Sequence, residues 1–425
     1  MTKVRYLSLD ILRGFAALTV LVSHLNGWTH GRAGSFSTAF LRNTETAFNW
    51  LVRGGSMGAH RGVVIFIVLS GFCIHLPQAS KPARTNEEGF WRNFILRRIL
   101  RIGPVYWFAV ALGIGALLVT ARWPAFTPPQ EAGASLNPLA AVLKFSFLSA
   151  WVGSNSVDLG NVPLRTVAVE VWLYAAYPAV LFFKSLAGWR GAMACASAVY
   201  VVGVGLAFRG IAPVFVSESF LSFFLYWVMG AWAADAFVRD QGAHRMLGWV
   251  CTLAAFALNF AMCHVLHFRG AHVVTVPLSA AATACFLYSV MTAESRIMPR
   301  AGAARNLGGR VANWMASLGE RSYSLYAVHT PLITLSCVAV AAMRGRGWTQ
   351  SAERPLAAAT IVIVTLVVYE LIEKPSHRLA KRASRAGVRG PDRTPVAVMA
   401  SPVGAAALAL ESRTAKTSLE NENGR

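Results

Sequence analysis

The chain has 425 residues, 55% of them hydrophobic and 14% charged. Soluble domains carry about a quarter charged residues, so this composition excludes an ordinary soluble fold and calls for a bilayer. A formal net charge of +21 would suit a nucleic-acid partner if the cations formed one patch, but they lie between apolar runs, which reads as membrane topology instead.

A run of about 20 apolar residues crosses roughly 30 Å of hydrocarbon at 1.5 Å per residue. Such runs occupy residues 9–28, 62–78, 100–119, 166–184, 191–208, 220–238, 247–267, 273–292, 322–343 and 355–371. The expected architecture is therefore an all-α, polytopic bundle of about ten transmembrane helices over residues 1–383. Residues 384–425, rich in Pro, Ala, Ser and Arg, are expected to form a disordered cytoplasmic tail. Lys and Arg favour the side that holds both ends by roughly two to one, which places both termini in the cytoplasm.

The first span carries two ionisable residues, a costly choice inside a membrane that tends to mark function. Arg13 and His24 stand three turns apart, rotated by about 20° and separated by roughly 16 Å along the axis, so they share a helix face. Asp10 and Arg13 interrupt the run and no small-residue cleavage site follows, so this segment reads as a mature helix and not as a signal peptide. The second span holds Ser70-Gly71, a small pair suited to close helix packing.

Arg97, Arg98 and Arg101 open the third span. Arg98 and Arg101 share a face at i,i+3, suited to gripping phosphate oxygens; the same residues also fit ordinary positive-inside anchoring. The external connections 29–61 and 120–165 are long, and loops of that length are often functional. Within the second, 138–152 is too short to span and reads as re-entrant or interfacial.

Glu170, in the first turns of the next span, falls at about the depth of His24 and could orient and polarise its imidazole; a helix-start acid stabilised by the dipole is the alternative. The ninth span begins Ser322-Tyr323 and carries His329 about two turns in. The six cysteines lie in or beside spans and read as packing residues. His264, His267 and His272 cluster in sequence without a carboxylate, so no metal centre is expected.

Taken in order, Leu9-Asp10-Ile11-Leu12-Arg13-Gly14 with His24, Phe66 to Phe72, Arg98 and Arg101 with Pro104 and Tyr106, Val169-Glu170 with Tyr174 and Pro178, Ser322-Tyr323 with His329-Thr330-Pro331, and Glu373-Lys374-Pro375 resemble the acyltransferase-3 family of integral-membrane O-acyltransferases. The resemblance covers residues 6–378. It implies a bacterial inner-membrane enzyme moving an acyl group, acetyl in the first instance, from cytosolic acyl-CoA to a hydroxyl of polysaccharide, lipopolysaccharide, peptidoglycan or a lipid-linked sugar. No permanently bound cofactor is implied.

By that resemblance His24 is the catalytic histidine, supported by Glu170. Arg13, Arg98 and Arg101 handle the donor, and Ser322, Tyr323 and His329 are assigned to the same donor site. One departure is Ala168, where similar chains carry Ser before Val-Glu. The expected partners are acyl-CoA, a carbohydrate acceptor and the lipid bilayer, with no nucleic acid; the oligomeric state is not legible. A transporter or flippase for a lipid-linked sugar is the rival reading, and a succinyl or longer acyl donor is the rival within the class.

Overall fold

The computed structural model describes residues 6–29, 58–80, 89–123, 136–151, 158–208, 219–240, 244–264, 272–297, 309–344 and 350–386. Residues 30–57 of the loop expected at 29–61, residues 124–135 and 152–157 of that expected at 120–165, and the tail beyond residue 386 lie outside the described residues. The chain divides into two units, Met1–Lys381 and Arg382–Arg425. All that follows concerns the first.

The described helices in chain order are α1 Leu7–Thr29, α2 Gly58–Ala79, α3 Phe90–Arg122, α4 Pro138–Phe145, α5 Leu164–Phe208, α6 Phe220–Asp240, α7 Arg245–His264, α8 His272–Ile297, α9 Arg310–Glu320, α10 Ser322–Arg344, α11 Gln350–Val368 and α12 Lys374–Ala386. No strand occurs among the described residues. Eight helices there are long and apolar enough to cross a membrane, and Arg245–Leu258 is a shorter apolar helix.

The fourth of these eight carries two of the spans expected from sequence, because α5 bends where Ala187 and Gly188 leave helical geometry. Gly188 sits at φ 62°, a left-handed conformation that side-chain-bearing residues avoid. With that bend and α7, the described helices account for the apolar runs expected from sequence.

Outward-facing residues such as Leu186, Val201, Phe256, Ile363 and Leu371 are more than half exposed. That is the pattern of helices solvated by lipid and not by water. The centre of the bundle is α10, whose apolar window is 83% buried, against 28% for Leu356–Ala383. Helices α2 and α6 cross closely: a Cβ at Gly71 would strike the Trp227 carbonyl, and one at Gly230 the Val68 carbonyl. Small residues at this crossing bring Trp227 within reach of α2.

The segment expected to be re-entrant forms α4 and a 3-10 turn, Leu148–Trp151. Asn137 caps α4 by accepting from the Leu139 amide at 2.9 Å. Tyr106 of α3 donates to the Lys144 carbonyl at 2.8 Å, and Trp172 of α5 to the Phe147 carbonyl at 3.1 Å. Fully buried Lys144 donates to Asp158 (3.3 Å) and to the Asn161 carbonyl (2.9 Å), while Arg165 reaches the other Asp158 oxygen at 2.5 Å. Burial pushes the Lys144 ammonium down to about 8, partly offset by Asp158. Asn161 then donates to the carbonyls of Ala109 and Ala327. This polar knot fixes the start of α5, and so the height of Glu170, against α3 and α10.

Candidate functional site

Several helices, α9 among them through Gly319 and Glu320, converge on a cavity of about 530 Å³, within the range of small-molecule sites. Helix α1 contributes Asp10 and Arg13, α2 Phe66, Ser70 and Cys73, α3 Arg98 and Arg101, α5 Glu170 and Tyr174, α10 Ser322, Tyr323 and Tyr326, and the α11–α12 junction Tyr369, Glu373, His377 and Lys381.

Arg13, Arg98, Arg101 and Lys381 line the cavity together with the carboxylates of Asp10, Glu170, Glu320 and Glu373. Arg13 donates to Asp10 (3.2 Å) and to the Cys73 sulfur (3.0 Å), which holds the guanidinium at the cavity wall. Arg98 lies 5.2 Å from the Phe94 ring centroid and 5.6 Å from that of Tyr174, a stacking that the planar guanidinium favours. Its Nε is buried without a hydrogen-bond partner in the protein. A buried donor left unmade costs about 1–3 kcal/mol. Arg101 is exposed and donates from Nε to His377 Nε2 at 3.2 Å. Arg98 and Arg101, paired from their spacing, do line one cavity together with Arg13.

The residues Tyr369–Glu373 form a π-helical turn between α11 and α12, a widening often found at functional sites. It brings Glu373, 1% exposed, onto the first turn of α10. There the carboxylate accepts from the Ser324 amide (3.1 Å) and hydroxyl (2.5 Å), a favourable place for negative charge. Ser322 lines the cavity beside it, and Tyr323 donates to the Ile102 carbonyl at 2.8 Å, tying α10 to α3.

Glu170 and His24, coupled in the sequence reading, have different hydrogen-bonding neighbours. Glu170 Oε1 accepts from Ser70 at 2.6 Å and from the Tyr174 hydroxyl, and Trp227 Nε1 donates to Ser70 Oγ at 3.3 Å. His24 Nδ1 instead meets His329 Nε2 at 2.8 Å, the rings inclined by only 20°. The reason is topological: α10 stands beside α1 at the depth of His24, whereas Glu170 sits opposite Ser70 of α2. His329, assigned from sequence to the donor site, is placed by the fold on the histidine.

The histidine pair has a defined proton order. His329 Nδ1 lies 2.8 Å from the Tyr326 carbonyl, which can only accept, so Nδ1 carries a proton. In the neutral ring Nε2 is then an acceptor, and the 2.8 Å contact requires His24 Nδ1–H to donate to it. That leaves the lone pair of His24 on Nε2, the nitrogen directed away from His329. An imidazole nitrogen in that tautomeric state is of the kind that takes a proton or attacks a carbonyl.

Glu170 also allows a direct check of its role. Glu170→Gln retains an oxygen that can accept from Ser70 and Tyr174, whereas Glu170→Ala strands both hydroxyls. Thermal unfolding in detergent is expected to show Glu170→Ala destabilised by about 1–3 kcal/mol and Glu170→Gln by clearly less. Equal losses in the two variants would show that the acceptor oxygen retained by Gln does not carry the stabilisation.

An all-helical membrane bundle with a buried polar site thus defines the class. The acyltransferase-3 family model, described as an acyltransferase domain, matches residues 6–370, and the chain belongs to that family. It is a multi-pass membrane acyltransferase. Among curated proteins and among solved structures, none matches the chain.

Sequence reasoning passed over Cys73, Tyr326 and His377 as parts of the site and read Ser70 as packing alone. Ser70 faces Glu170 because Gly71, its neighbour, lets α6 approach; the small pair was the available signal. Tyr326 stands one turn before His329, and His377 one turn beyond Glu373. Those two were legible as same-face neighbours of motif residues. Cys73 gave no signal, being one of six apolar-run cysteines.

Proposed function

We propose that this protein transfers a short acyl group, acetyl in the first instance, from acyl-CoA to a hydroxyl of a cell-surface or exported carbohydrate. On this reading it lies in a bacterial inner membrane with both termini in the cytoplasm, and the arginine-lined end of the cavity opens on the cytoplasmic side. The observation that carries the reading is Arg98. Its buried, unpartnered Nε stands with Arg13, Arg101 and Lys381 around one cavity, a cationic mouth suited to the phosphates of a nucleotide-tailed donor.

The thin pantetheine arm would run inward past Ser70 and Tyr323 toward His24. There the acceptor hydroxyl gives its proton to His24 Nε2 while its oxygen attacks the thioester carbonyl carbon. The carbon–sulfur bond breaks, and coenzyme A leaves as a thiolate that takes the proton from the imidazolium. The products are ester and thiol. The same lone pair could instead attack first, giving an acyl-imidazole that the hydroxyl then cleaves. Glu170 serves the donor end in this scheme, holding Ser70 and Tyr174 against Arg98.

The test has two parts. Purified protein in vesicles is supplied with acetyl-CoA carrying labelled acetyl on the arginine side, and label is sought on glycan. Mass spectra of surface glycans are compared between a strain lacking the protein and its parent. A mass difference of one acetyl group per site, together with label transfer, is the expected result. Identical glycans and no transfer would overturn the reading.

A further inference from the structure

The wall of the cavity stops short of the histidines. Phe66 and Tyr326 line it, and His24 and His329 do not. The Phe66 and Tyr326 rings meet edge to face at 5.7 Å between centroids, and Tyr326 lies 5.8 Å from the His329 ring. Tyr326 thus joins the cavity lining to His329, with Phe66 packed against its ring. We infer that this aromatic pair sets which acyl groups are transferred, admitting a short uncharged one and excluding longer or carboxylate-bearing ones.

Three observations argue for this. Tyr326 is held in place: it is 7% exposed, and its hydroxyl donates to the Pro163 carbonyl at 3.2 Å, the residue fixed by the polar knot below α5. Phe66 is only partly buried, so it is the member of the pair that can be trimmed or can turn. Val63 and Ile67, beside Phe66 on α2, and Thr166 and Val167, shortly after Pro163 on α5, line the same cavity and carry no charge. A succinyl carboxylate arriving against these uncharged side chains would be desolvated without a partner, and an unpaired charge in such a place is heavily penalised. An extra methylene pair would have to displace the Phe66 ring.

This inference rests on the acyl-CoA reading above, and the experiment separates the two. Transfer is measured for the wild type, Phe66→Ala and Phe66→Leu with acetyl-, butyryl- and succinyl-CoA. A methylene group in an apolar pocket is discriminated about ten- to two-hundredfold. The wild type is therefore expected to favour acetyl over butyryl by at least about tenfold in kcat/KM. Phe66→Ala should raise the butyryl-to-acetyl ratio by about tenfold or more, with Phe66→Leu shifting it the same way by less. Succinyl should remain poor throughout, because removing a ring supplies no cation. Ratios in both variants within about twofold of wild type, or succinyl transferred as readily as acetyl, would overturn the inference while leaving the acyl-CoA reading intact. No transfer from any donor by the wild type sinks both.

Discussion

Replacing His24 by Ala is expected to lower acyl transfer by about a hundredfold or more, as for a lost acid–base or nucleophilic group, while acetyl-CoA still binds. The two effects separate because Arg13 and His24 stand roughly 16 Å apart along α1, so the lost imidazole leaves the phosphate end untouched. Label counted on glycan reports transfer, and calorimetric titration of detergent-solubilised protein with acetyl-CoA reports binding. The proton order adds a finer expectation. His329→Leu cannot accept from His24 Nδ1–H, so His24 loses the bond that fixes its lone pair on Nε2. Transfer should fall in this variant too, by less than in His24→Ala, with donor affinity again retained. If His329→Leu matches wild type in transfer, the paired tautomers have no part in the chemistry.

Arg98→Ala is expected to act on the other term. Loss of a charge-assisted hydrogen bond costs about 1.5–3 kcal/mol, so the apparent KM for acyl-CoA should rise roughly ten- to a hundredfold with kcat little changed. Arg101→Ala should follow in direction with a smaller effect. Arg101 is exposed and already bonded to His377, whereas Arg98 Nε is buried with no partner. Arg98→Lys should not restore affinity, since an ammonium cannot stack between the Phe94 and Tyr174 rings or offer a planar fork. Should both arginine variants bind donor normally while His24→Ala abolishes binding, the donor does not enter by this mouth.

The architecture was readable because a bilayer imposes one simple rule: every spanning backbone must satisfy its hydrogen bonds internally, so apolar length announces a helix. Arg13 was readable for the converse reason, since a cation within a span is too costly to keep without use, whereas Arg98 and Arg101, at the end of a span, also fitted ordinary positive-inside anchoring. Spacing along one helix also put Arg98 and Arg101 on one face, because residues three apart are separated by less than one 3.6-residue turn.

Which helix stands beside which was not determined locally, and the site depends on it. Glu170 and His24 share a depth in the sequence reading, but depth says nothing about azimuth. The packing of α2 on α6 at Gly71 and Gly230, and of α10 in the bundle centre, turned Glu170 to Ser70 and gave His24 the imidazole of His329. The polar knot of Lys144, Asp158 and Arg165 was equally hidden, since its charges lie in a loop and meet only once the chain has folded back on α3. From sequence come the helices, the membrane and the cations that a membrane would not otherwise tolerate. The pairing of the histidines, the unpartnered Nε of Arg98 and the contact of Phe66 with Tyr326 arise from contacts between helices distant in the chain, which no local periodicity encodes.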